Sequence, residues 1–240
     1  MEIEFRGVVA GYSPTLTILN ELDFRAPSGE MTLLVGPNGA GKSTALKTLF
    51  GLLAPRSGSI RLGGEEVAGL APRAMLARGV VFVPQGRNLF GTLSVLHNLE
   101  LGGVTLRSGL RGRVERVLER FPRLRERIAS QASTLSGGEQ KQLEIARALL
   151  LEPKVLLIDE PSIGLSPIIS HDVFRLLRKL ADDGTTVLMV EQNVRSALAY
   201  ADRALALEMG RLALDRPAGE LLGDPNLNRL FLGATTRRSA

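Results

Sequence analysis

Apolar residues in this chain gather in short blocks. Met31-Thr32-Leu33-Leu34-Val35, Val80-Val81-Phe82-Val83, Val155-Leu156-Leu157-Ile158 and Thr185-Thr186-Val187-Leu188-Met189-Val190 are nearly continuous apolar runs. Such runs read as strands buried on both faces of a parallel sheet. Ahead of them the pattern is β-rich over residues 1–30: Ile3, Phe5 and Val8-Val9 mark one strand, and residues 15–19 and 22–24 a second and third. Pro27-Ser28-Gly29-Glu30 is a turn. Residues 45–50 carry no breaker and read as a helix, 59–62 as a short strand turned back by Gly63-Gly64, and 72–78 as a helix. Residues 203–207 and 211–214 read as late strands around Glu208-Met209-Gly210.

The period changes after residue 86. Val114, Val117, Leu118, Phe121, Leu124 and Ile128 recur at helical spacing, and Pro122 breaks the run. The segment from about residue 87 to 147 is therefore expected to be a mostly helical insertion. Its polar face carries Arg111, Arg113, Arg116, Arg120, Arg123, Arg125 and Arg127 among Glu115, Glu119 and Glu126. That face is either a solvated basic surface or a docking surface for another subunit.

The polar residues that end the apolar runs carry the candidate chemistry. After residues 31–35 comes Gly36-Pro37-Asn38-Gly39-Ala40-Gly41-Lys42-Ser43-Thr44, which fits the phosphate-binding loop pattern in its strand–loop–helix context. Glycines let backbone N–H groups wrap an anion, and the helix start adds positive dipole. Lys42 can reach β- and γ-phosphates, and the Ser43 hydroxyl can ligate Mg²⁺. The run 155–158 ends in Asp159-Glu160: Asp159 suits Mg²⁺, a hard cation, and Glu160 suits a general base for water. In open α/β sheets ligands lie beyond the carboxyl ends of strands. That rule makes Gln85, after 80–83, a candidate sensor of nucleotide or metal, and it also brings Glu191-Gln192-Asn193 to the ligand edge. Ser136-Gly137-Gly138-Glu139 has capping-box spacing and opens a second glycine-bearing helix start, suited to gripping a phosphate from another side. Tyr12 is either an ordinary loop tyrosine or a ring stacked on a base.

Composition narrows the class. At 240 residues the chain could hold one large α/β domain or two small ones. A net charge of +5, spread among acidic residues, comes with 4% aromatic residues and no aromatic-plus-basic platform, which argues against nucleic acid. There is no cysteine for a disulfide or a thiolate metal site. No apolar run approaches the ~18 residues of a membrane span. Met1-Glu2-Ile3-Glu4-Phe5-Arg6 is unlike a signal peptide, so a cytoplasmic location is expected.

Taken together, residues 36–44, Gln85, Leu135-Ser136-Gly137-Gly138-Glu139-Gln140 and residues 155–160 resemble the ATP-binding cassette (ABC) ATPases in order and spacing. The resemblance runs from about residue 3 to about 233. It implies one ABC ATPase domain in the α/β class: a P-loop NTPase, RecA-like core over 1–86 and 148–233, an antiparallel β subdomain, the helical insertion, and a mobile tail at 234–240. It also implies a head-to-tail dimer, with self or with a second ABC ATPase subunit, in which ATP and Mg²⁺ lie between the phosphate loop of one cassette and Ser136-Gly137-Gly138 of the other. Pro84-Gln85-Gly86-Arg87, residues 160–167, Val190-Glu191-Gln192-Asn193 and Ala201-Asp202-Arg203 resemble the shorter ATPase subunit of branched-chain amino acid importers, as do residues 221–225 and 231–233. By that likeness the partners are integral membrane permease subunits and, indirectly, a solute-binding protein, and the place is the cytoplasmic face of the membrane.

Two positions depart from the general family pattern. Gln192 stands where a γ-phosphate-contacting histidine is usual, and Ser166 where an aspartate is usual. Glutamine can hydrogen-bond phosphate or water but cannot become cationic. Gln192 is kept with Glu160, Lys42 and Gln85 as a candidate catalytic residue. Two alternatives stay open: another transporter such as a lipid or lipopolysaccharide exporter, or a weakly hydrolysing ATP-dependent dimerisation module.

Overall fold

The structure, a computed structural model, describes residues 1–86, 88–106 and 108–223. In chain order they form β1 (Ile3–Ala10), β2 (Leu19–Ala26), β3 (Met31–Val35), α1 (Lys42–Leu49), β4 (Ser57–Leu62), β5 (Glu65–Glu66), α2 (Pro72–Ala77), β6 (Val80–Val83), α3 (Val95–Gly102) and α4 (Leu110–Arg120). There follow α5 (Pro122–Glu126), α6 (Gly137–Leu149), β7 (Val155–Asp159), α7 (Pro167–Asp182), β8 (Thr186–Val190), α8 (Val194–Leu198), β9 (Arg203–Glu208), β10 (Arg211–Pro217) and α9 (Ala218–Leu222).

The strands make two sheets. One runs β10-β9-β3-β8-β7-β6, parallel except for the β9–β10 pair, and the other is antiparallel in the order β2-β1-β4-β5. This is the mixed α/β architecture expected of a P-loop NTPase core with an antiparallel β subdomain.

The four apolar runs are continuous because both of their faces are covered. Leu33, Val83, Ile158 and Met189 join a core with the helices, while Leu34, Val80, Leu157 and Leu188 join a second core beneath the antiparallel sheet. Period-2 alternation thus sends successive residues into two different apolar layers.

Between β6 and β7 lie the helices α3 to α6. Buried Val114, Val117 and Leu118 from α4 and Leu124 from α5 pack with Leu143 and Ala146 of α6. Pro122 opens α5 where the apolar stripe was expected to break.

Residues 15–19 are not the expected strand. Only Ser13 and Leu16 form an isolated bridge there, Leu16 is exposed, and β2 begins at Leu19. Arg56 holds the segment instead, donating to the Leu16 carbonyl at 3.0 Å and to Thr17 Oγ1 at 2.8 Å. The loop thereby crosses over the start of α1. Arg87 and the C-terminal stretch, with residues 231–233 and the tail expected to be mobile at 234–240, lie outside the described residues.

Candidate active site

The phosphate loop joins β3 to α1, and Gly36, Gly39 and Gly41 all hold positive φ there, with space a further constraint at Gly36. Gly36 has φ +142°, and a Cβ there would lie 2.2 Å from the Leu207 carbonyl oxygen. Gly41, the N-cap of α1, has φ +102°, and a Cβ there would lie 2.9 Å from Leu19 Cδ2. Lys42 is only 5% exposed, and its Nζ donates to the carbonyls of Gly36 at 2.8 Å and Pro37 at 3.1 Å. Burial holds the Lys42 ammonium below the usual lysine range, and the carboxylates of Glu160 and Asp159 pull it part of the way back. The loop therefore keeps a partly desolvated cation that has only carbonyl partners, ready to turn to an anion.

Asp159 ends β7 at 2% exposure and accepts a hydrogen bond from Ser43 Oγ at 3.1 Å. Burial pushes its carboxyl above the ordinary range, opposed by the Ser43 bond and reinforced by the Glu160 charge. Among the described residues, no group of three or more His, Cys, Asp or Glu side chains could hold a metal ion. A hydroxyl and a carboxylate oxygen at one point form a hard donor pair that fits Mg²⁺ shared with phosphate oxygens and water.

Glu160 follows in the left-handed region, at φ +48°, with its N–H bound to the Val190 carbonyl at 2.9 Å. A non-glycine residue held there stores on the order of 1–3 kcal/mol of strain. The turn aims its carboxylate at the ligand edge, where two amides grip it: Gln85 Nε2 donates to Oε2 at 2.7 Å and Gln192 Nε2 donates to Oε1 at 2.7 Å. Strand order explains the meeting. β8 lies between β3 and β7, so its end places Gln192 between the phosphate loop and Glu160.

The Gln85 loop is fastened from behind by α6 and α3. Glu144 Oε1 accepts the Asn88 N–H at 2.9 Å, and Glu144 is itself paired with buried Lys141 at 2.6 Å. Asn98, fully buried on α3, donates to the carbonyls of Phe90 and Ser94, each at 3.0 Å.

A cavity of about 440 Å³ gathers Tyr12, Ile18, Asn38, Gly39, Gly41, Lys42, Ser43, Thr44, Gln85, Glu160 and Gln192. Tyr12 stands at its rim, half exposed, with the Lys47 ammonium 5.6 Å from the ring centre and Thr44 Oγ1 3.4 Å from its hydroxyl. Gly36 and Pro37 contribute carbonyls behind Lys42, Ala40 is buried in the second core, and Asp159 is reached through Ser43.

Ser136, Gly137, Gly138 and Glu139 do not line this cavity. They form a complete capping box at the start of α6. Ser136 Oγ accepts the Glu139 N–H at 3.3 Å, and Glu139 Oε2 accepts the Ser136 N–H at 2.8 Å. Gly138 is pressed on α7, where a Cβ would lie 2.6 Å from Ile169 Cγ2.

The sequence reading missed Ile18, which lines the cavity by way of the loop mistaken for a strand. It also left Glu191 without a role, although Glu191 is a carboxylate closing an apolar run, the same signal that singled out Asp159.

The fold and the loop define a nucleotide-binding P-loop protein, and comparison with known proteins narrows it. The ABC transporter family model matches residues 19–163. The chain is 43% identical over 226 residues to the high-affinity branched-chain amino acid transport ATP-binding protein BraG of Pseudomonas aeruginosa, covering 94% of this chain and 97% of that one. It is 40% identical to the probable branched-chain amino acid transport ATP-binding protein LivF of Archaeoglobus fulgidus, covering 93% and 95%. It is 34% identical to the lipopolysaccharide export system ATP-binding protein LptB of Escherichia coli, covering 92% of each. Among solved structures it matches a nucleotide-free ATP-binding cassette from an ABC transporter with a TM-score of 0.86 at 26% identity, covering 97% and 100%. It matches a dimeric, post-hydrolysis cassette bound to ADP and phosphate with a TM-score of 0.79 at 26% identity, covering 90% and 98%. The chain belongs to the ABC transporter family, as an ATP-binding cassette with the site of an ATPase.

Proposed function

We propose that this cassette powers an importer of branched-chain or related amino acids, hydrolysing ATP at the cytoplasmic face of the membrane beside integral permease subunits. The observation that carries the ATPase reading is the Glu160 carboxylate, held by Gln85 and Gln192 at the wall of a cavity floored by Lys42 and Ser43. The solute class rests on the names of the relatives at 43% and 40% identity, set against the lipopolysaccharide export protein at 34%. No helix among the described residues is long and apolar enough to cross a membrane, which fits a peripheral subunit.

In this reading Lys42 leaves the Gly36 and Pro37 carbonyls for the β- and γ-phosphates. Ser43 and Asp159, with Gln85 beside them, hold Mg²⁺, which neutralises phosphate charge when bound. The two amides orient Glu160, which takes a proton from the attacking water. Asn38, Gly39, Ala40 and Gly41 present backbone N–H groups, Thr44 lines the cavity wall, and Tyr12 offers its ring to the base. Ser136 and Gly138, backed by Gly137 and Glu139, serve the nucleotide of a facing cassette, either a second copy or a sister subunit.

The test is transport. The chain, reconstituted in vesicles with its permease subunits and a solute receptor, should drive ATP-dependent uptake of leucine, isoleucine or valine. Glu160→Gln should bind ATP but lower hydrolysis by about 100- to 10,000-fold. ATP-driven release of lipid with no amino acid uptake would favour an exporter and contradict the proposal.

A further inference from the structure

Glu191 is a buried carboxylate that the mechanism above does not use. It ends the run of β8 at 2% exposure, and among the described residues no cation pairs with it. Its partners are instead four donors on two loops. Oε1 accepts the Ser162 N–H at 2.8 Å. Oε2 accepts Ser162 Oγ at 2.9 Å, the Gln192 N–H at 3.1 Å and the Asn193 N–H at 3.4 Å. Ser162 lies two residues beyond Glu160, and Gln192 is the residue whose amide grips Glu160. One side chain thus staples together the two loops that flank the base.

The same groups form a wall. Glu160 and Gln192 line both the nucleotide cavity and a second cavity of about 220 Å³, which Ser162, Ile163, Leu165 and Glu191 also line. Beyond Ser162 the loop ends at Ser166, the N-cap of α7, whose Ile169 abuts Gly138. The staple therefore lies on the covalent path from the base to the surface that backs the second glycine-opened helix start.

We propose that Glu191 is a positioning residue for ATP hydrolysis: its carboxylate locks the loop after Glu160 to the loop of Gln192 and so fixes where Gln192 holds the base. The inference rests on the reading of Glu160 as base with Gln192 beside it. A carboxylate is needed because every donor wants an acceptor. A glutamine would set its own NH₂ against either the Ser162 N–H or the paired N–H groups of Gln192 and Asn193. Burial pushes the Glu191 carboxyl up and the donors from Ser162, Asn193 and Gln192 oppose this, so the fold holds a costly group at this junction.

The experiment is single-turnover hydrolysis with the full chain in excess over Mg·ATP, alongside ATP affinity by calorimetry. Glu191→Gln should slow hydrolysis by about 10- to 100-fold, as expected for a displaced catalytic group. ATP affinity should stay within about 2-fold, the departure expected between sites that do not interact. Adding Gln192→Ala to Glu191→Gln should cost no more than about a further 2-fold, because both changes undo one arrangement. Ser162→Ala removes a single hydrogen bond on the opposite loop without disturbing packing. It keeps the test decisive if Glu191→Gln folds poorly, and it should give a smaller loss with the same non-additivity. Rate losses that multiply in the double variants, or ATP affinity that falls in step with rate, would overturn the proposal. A Glu160→Gln control hydrolysing at the parent rate would instead overturn the underlying assignment of the base.

Discussion

Two helices in this chain start on glycine-rich loops, and they are built to opposite ends. The loop before α1 is complete within one chain: Lys42 is buried with carbonyl partners, Ser43 already touches Asp159, and Glu160 stands across the cavity. The start of α6 closes on itself. Its serine is engaged by Glu139, its Gly138 packs on Ile169, and its residues do not line the cavity. An anion site needs donors that are not satisfied locally. The first start has them in cis. The second engages Ser136 and Glu139 in its own cap; under the function proposed above it serves the nucleotide of a facing cassette.

The contrast can be broken most sharply at Lys42. Lys42→Ala should weaken ATP binding by roughly 10- to 100-fold, from charge-assisted bonds of ~1.5–3 kcal/mol, and unchanged affinity by calorimetry would remove the first site from the account. Ser136→Ala should behave differently. Single-chain ATP affinity should hold, stability should fall by about 1 kcal/mol from loss of the cap, and hydrolysis should drop by about 10-fold in the closed assembly, the loss of one hydrogen bond to a charged group. Equal effects of the two substitutions on ATP affinity would erase the distinction.

The smallest expected effect concerns Asp159. Its folded carboxyl titrates above its ordinary value of 3.8, chiefly through burial, so the ionised form is held at a cost in the folded chain. That cost is absent below the unfolded value and appears as pH rises through the folded one. Asp159→Asn should therefore raise the melting temperature at pH 7, by roughly 2–4 °C for each kcal/mol recovered. The gain should vanish toward pH 3, and Mg·ATP should protect the variant less. A gain independent of pH would show that ionisation is not its source.

The four apolar runs carried the core sheet plainly in the sequence, because burial on both faces favours apolar residues throughout and admits only an occasional small polar one such as Thr32 or Thr186. The phosphate loop and the pair Asp159-Glu160 were equally plain, since glycine and carboxylate positions there answer to one chemistry. Residues 15–19 misled for a local reason: the alternation of Leu16 and Ile18 mimics a strand, but the Leu16 carbonyl is taken by Arg56, and only at Ile18, whose N–H donates to the Ala10 carbonyl, does the backbone rejoin the sheet. Helix α7 went unread even though Ser166 caps it, Pro167 opens it, and Val173, Phe174, Leu177 and Leu180 recur on one buried face. The grip of Gln85 and Gln192 on Glu160 could not be read from spacing. It depends on strand order, which places residues 85, 160 and 192 at adjoining sheet ends.

The most direct test of this division of labour is a structure of the Glu160→Gln variant in its closed assembly with Mg·ATP. The account predicts Ser136 Oγ and the Gly138 N–H within about 3 Å of a γ-phosphate whose other side rests on the phosphate loop of the facing cassette. A fully closed assembly with nucleotide bound and Ser136 remote from every γ-phosphate would contradict it.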